Sequence, residues 1–202
     1  MIAVQLSRKL KSHALPEALI IRLHRAISWL KSAEKQEGNL DLKFISLWVS
    51  FNACYAVDIN GLNSKPEKAN LREFTSSLVQ FDQKRIYNLF WEKYSGPVKV
   101  LIENKFVFEK FWEYTRGESD DYQVAFNKSI TQATNCLSKQ NIEGLLEVVL
   151  ERLYTLRNQL IHGGATYNSK LNRAQLRDAC NIMQILVPII IDIMLENWEH
   201  DW

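Results

Sequence analysis

Little in this chain interrupts a helix. Only seven glycines and four prolines punctuate its 202 residues, which points to a protein that is almost all helix. Three cysteines, Cys54, Cys136 and Cys180, are odd in number and widely spaced, which excludes a disulfide framework and the close pairs of a zinc site. That usage points to a reducing cytoplasm, and no cofactor or metal-ligand cluster is expected. Charge of one sign is missing as well: 25 Lys and Arg against 23 Asp and Glu leave a net +2. A protein that wraps duplex DNA by phosphate contacts alone is far more basic, so any nucleic-acid contact must be local. The most apolar stretch, Ile182 to Leu195, is broken by Gln184, Pro188 and Asp192 and falls short of the ~20 residues that cross a bilayer. It reads as a buried or subunit-contacting helix. Met1 to Lys11 has basic residues but no continuous apolar core and does not read as a signal peptide.

What is present is helical periodicity. The chain is 47% hydrophobic and 24% charged, the balance of a globular protein with a substantial core. Nearly every segment between breakers repeats its apolar residues at three and four. Four long amphipathic segments, about Leu15 to Gln36, Asp41 to Ile59, Ile142 to His162 and Asn172 to Trp198, can bury their faces together. They predict an all-α fold, a four-helix up-and-down bundle formed by one domain over 1–202. Shorter aromatic-rich helices after Pro66, Asp82 and Pro97 and from about Asp120 read as a helical insertion at about 63–140.

The densest chemistry lies in Arg157, Asn158, Gln159, Leu160, Ile161 and His162, followed by Gly163 and Gly164. Asn141 caps a helix that carries Leu146, Val149, Leu153, Leu156 and Leu160 as one stripe and ends at the paired glycines. Arg157 falls within that stripe, near Leu150 and Leu153, and a buried guanidinium must meet an acid, a carbonyl, water in a cleft or a phosphate. Asp192 could neutralise it as a plain ion pair. Asn158 and His162 are four apart, so the amide could orient the imidazole. Arg157 and His162 are five apart, roughly 140° around the helix, and do not share a face. Either the glycines let His162 turn back, or a second copy brings its own pair across a two-fold axis.

Cleavage of RNA by its own 2′-hydroxyl needs a base, an acid for the departing 5′-oxygen and positive charge at the phosphate. Two facing copies supply two imidazoles and two forked guanidiniums, without a metal. The arginine, spacer and histidine at a helix end, with the glycines and a long apolar helix after them, resemble the HEPN superfamily over about Glu151 to Trp198. That resemblance implies a small helical bundle pairing as a homodimer, and a metal-independent endoribonuclease leaving 2′,3′-cyclic phosphate ends. Arg157, Asn158 and His162 are its implied catalytic residues. It further implies an RNA substrate and a toxin or phage-defence role under restraint by an antitoxin or other partner. The rival reading is a non-catalytic nucleotide-binding or protein-interaction module.

Two further residues are assigned to substrate binding, Asn52 and Tyr154. Asn52 sits with Trp48 and Tyr55 away from the polar strip of its helix, so it is either a satisfied core amide or part of the cleft. Lys105, Lys110 and Arg116 interleave with Phe106, Phe108, Phe111 and Trp112, a pattern that suits a solvated helix face or RNA contact. Trp198 and Trp202 lie at the tail and stand apart from the core aromatics. His13, His24 and His200 read as surface or packing residues.

Overall fold

A computed structural model describes residues 1–56, 67–200 and 202. These residues contain nine α-helices and no strand: α1 Ile2–Lys11, α2 Glu17–Glu34, α3 Leu40–Tyr55, α4 Glu67–Lys93, α5 Lys99–Ile102, α6 Glu109–Thr115, α7 Gln123–Ser138, α8 Ile142–Ile161 and α9 Arg173–Glu196. The all-α expectation is met. The expected stop of the second long helix at Asn60 and Gly61 lies outside the described residues.

The chain divides into two compact units, one of Met1–Ile86 with Met183–Trp202 and one of Tyr87–Ile182. In the first, α2 and α3 pack along their lengths and α1 lies on α2. Leu23, Ala26, Ile27 and Leu30 of α2 are buried, as are Phe44, Leu47, Trp48 and Phe51 of α3, and Ser50 Oγ donates to the Ala26 carbonyl at 2.6 Å. Helix α3 starts at Leu40, close to where the sequence suggested, because Asn39 Oδ1 accepts the Leu42 N–H at 3.1 Å and serves as the cap. Helix α1 was not expected. Its amino end is satisfied by Glu34 of α2, whose Oε1 accepts the N–H groups of Ile2 and Ala3 at 2.7 and 3.2 Å.

In the second unit α7 and α5 pack on α8. Leu145, Leu146, Val149, Leu153 and Leu156 are fully buried, together with Val98, Leu101, Ile102 and Val107. In the first turn of α8 a Cβ on Gly144 would stand 2.8 Å from Cys136 Sγ, so a larger residue there would force a neighbouring side chain to shift. Of the four long segments expected to share a bundle, the first two form helices in the first unit, the third forms α8 in the second, and α9 contributes to both. Helix α4 holds its break at Asp82, where φ is −150° and ψ 74°.

The helical stretch Lys170–Glu196 is long and apolar enough to cross a membrane by length and composition, longer than the apolar run alone suggested; 67% of its most apolar window is buried within the fold. All three cysteines are free and buried.

Candidate functional site

Helix α8 builds the site from its buried stripe outward. Asn141 Oδ1 accepts the Gly144 N–H at 3.1 Å and caps it, and the chain leaves it at His162, whose own N–H reaches the Asn158 carbonyl at 3.0 Å. Gly163 follows with φ +74°, the left-handed stop that glycine adopts without strain. His162 is therefore exposed at a helix terminus.

Arg157, Asn158 and Tyr154 form one cluster a turn earlier. Arg157 is half-buried; its Nη1 donates to Asn158 Oδ1 at 2.9 Å, and its guanidinium stands 5.7 Å from the Tyr154 ring centroid. Its Nε is buried and has no hydrogen-bond partner. Among the described residues no carboxylate forms a salt bridge with Arg157; Asp192, weighed as its neutralising acid, instead takes Lys9 Nζ at 2.7 Å. The Asn158 amide is likewise not spent on the imidazole, since its oxygen holds Arg157. His162 makes no side-chain hydrogen bond among the described residues and stands exposed.

The arginine buried deepest on α8 is Arg152, which the sequence reading passed over. It is 1% exposed. Its Nε donates to the Ile102 carbonyl at 3.3 Å and its Nη2 to Ser129 Oγ at 2.8 Å, with the guanidinium 4.5 Å from the Phe108 ring centroid and 5.8 Å from that of Phe126. Burial pushes this guanidinium down to about 10, and Glu151 partly opposes the shift. Two ring faces and a carbonyl thus take the place of a counter-ion. The signal was present: Arg152 lies three residues after Val149 and four before Leu156, at the spacing of the stripe itself.

Gln159 ties the carboxyl end of α8 to the neighbouring loop, its Nε2 donating to the Phe106 carbonyl, which also accepts Trp112 Nε1 at 2.8 Å. Lys105 Nζ lies 5.4 and 5.2 Å from the Phe106 and Phe111 ring centroids. Arg116, one of the three cations in that aromatic pattern, is engaged by Glu118 at 2.6 Å.

Asn52 belongs to the first unit, whereas Arg157, Asn158, Tyr154 and His162 belong to the second. Its Oδ1 accepts the Tyr55 hydroxyl, and it lines a pocket of about 340 Å³ with Arg22, Arg25 and Trp29. The tail tryptophan Trp202 and His200 pack edge-on, 5.0 Å between centroids. Among the described residues no group of three or more His, Cys, Asp or Glu side chains converges to hold a metal ion.

No protein-family model, no curated protein and no solved structure matches this chain.

Proposed function

We propose that this chain is a HEPN-type endoribonuclease that needs no metal, built as a bundle whose two-fold pairing gathers Arg157 and His162 from both copies around one phosphate. The observation that carries the reading is the state of Arg157. A half-buried guanidinium with an orphaned Nε and no carboxylate among the described residues is an uncompensated cation, and a phosphate oxygen is what its fork fits. Asn158 fixes the fork's direction through Oδ1. His162 is exposed on the same helix end, five residues on, and an imidazole can serve as a base and, once protonated, as an acid.

In the reaction, one imidazole takes the proton from the 2′-hydroxyl as its oxygen attacks phosphorus. The bond from phosphorus to the 5′-oxygen breaks, and the second imidazole, protonated, gives its proton to that oxygen. The products are a 2′,3′-cyclic phosphate and a 5′-hydroxyl, with no change in oxidation state. The guanidiniums stabilise the charge that gathers on the non-bridging oxygens. Tyr154 lies beside Arg157 and packs against the sugar or base. An enzyme of this kind acts as a toxin or defence effector and is held in check by a partner.

The test is incubation of the protein with RNA in EDTA. Cutting that leaves cyclic phosphate ends, and that falls about 100-fold or more in Arg157→Ala and in His162→Ala with helical content intact, supports the assignment. Equal cutting by both variants rejects it.

A further inference from the structure

We propose that the groove between α2 and α3 is a second site, one that binds a nucleotide. Its walls come from side chains at one-turn intervals on α2, Arg22, Arg25 and Trp29, and from Asn52 on α3; alanines such as Ala18 and Ala53 keep its floor open. About 340 Å³ is available, at the small end of the roughly 300–1,000 Å³ typical of small-molecule sites.

Each wall has a matching part in a nucleotide. Trp29 is 42% exposed, an indole face left open where a packing tryptophan would be covered, and a planar base stacks on such a face. Arg22 is steadied by the bond from its Nη1 to the Trp202 carbonyl, which leaves the rest of its fork to a phosphate. Asn52 has its oxygen engaged by Tyr55, so its Nδ2 remains to donate to a ribose hydroxyl or a ring carbonyl. The spacing agrees: at a rise of 1.5 Å per residue, Arg25 stands about 6 Å and Arg22 about 10 Å along the axis from Trp29, and a ribose bridges base and phosphate over that interval. The nucleotide is either free or one unit of a strand. The site stands apart from the Arg157 and His162 proposal, and neither depends on the other.

Equilibrium dialysis of the full chain with labelled 5′-AMP, 5′-GMP, 5′-CMP and 5′-UMP, and with a labelled tetranucleotide, tests this. Binding is expected to weaken about tenfold or more in Trp29→Ala and Arg22→Gln, and to survive in Trp29→Phe. Mononucleotide binding identifies a free nucleotide, and tetranucleotide binding alone identifies a strand; either supports the site when the variants lose it. The proposal falls if neither probe binds, if Trp29→Ala binds as the native chain does, or if inorganic phosphate competes as well as the nucleotides.

Discussion

Keeping the charge at position 152 should cost more stability than removing it. Burial lowers the Arg152 guanidinium from its ordinary value to about 10, which corresponds to about 3 kcal/mol of disfavoured charge. A base whose folded value is depressed carries that penalty in full below about pH 10 and sheds it only as pH rises through the folded value. In Arg152→Met the penalty vanishes. Against that gain, the Ile102 carbonyl loses a donor, at about 1–3 kcal/mol, and the contact with Phe108 goes, at about 1–2 kcal/mol. Ser129 is only half-buried, so its hydroxyl turns to water. The methionine variant should therefore lie within about 2 kcal/mol of the native chain. Arg152→Lys keeps a cation but not the planar fork, and an ammonium buried among Phe108, Phe126 and Ile102 must stay unpaired or give up its proton, at a cost of about 4–5 kcal/mol near neutrality. Urea unfolding followed by helical circular dichroism gives the order from the midpoints at constant slope. A lysine variant as stable as the methionine variant, or more so, would refute the reasoning.

Glu196 is drawn upward by partial burial, but hydrogen bonds from Arg85 and Lys9 outweigh that and hold its carboxyl below its ordinary value. A carboxylate held low stabilises the fold above its ordinary range and loses that contribution as pH falls through the folded value. Glu196→Gln should thus be less stable near neutrality by under about 1 kcal/mol, given its exposure, with the gap closing as pH falls through the folded value of the carboxyl; a gap that widens in acid would contradict this. Cys54 is buried and its thiol is pushed up to about 12, with Arg22 only partly opposing. Iodoacetamide should leave Cys54 unmodified in the folded chain and label it in urea, as peptide mass mapping would show, and equal labelling in both states would disprove it.

Much of α8 was legible because its signals are local. A cap at Asn141, a stripe at three and four, and a glycine stop at Gly163 all lie within the helix or at most two residues beyond it. Helix α1 was not legible, since it buries only Ala3, Leu6 and Leu10 and its cap is a glutamate 32 residues away. No local pattern announces such a partner. The same limit separates Arg157 from Arg152. Both occupy plausible stripe positions, and only the ring faces of Phe108 and Phe126, brought in by a different part of the chain, decide which one sinks. For the site, the sequence displayed the Arg157 and Asn158 pair but not the direction of the amide, which faces the guanidinium because the two are neighbours on the chain and His162 lies past the helix end. Asn52 stood out in the sequence as an amide away from the polar strip of its helix, while its neighbours Arg22, Arg25 and Trp29 went unnoticed because a groove between two helices has no signature in either one alone.

The proposed composite site across two copies makes a quantitative demand that a one-chain site would not. Cleavage of labelled RNA in EDTA, measured over a dilution series alongside the mass of the species in solution, reads it directly. Activity per chain should rise with the dimer fraction and level off when dimer is complete, with cyclic phosphate ends throughout. Activity per chain that stays constant through full dissociation to monomer would contradict the account.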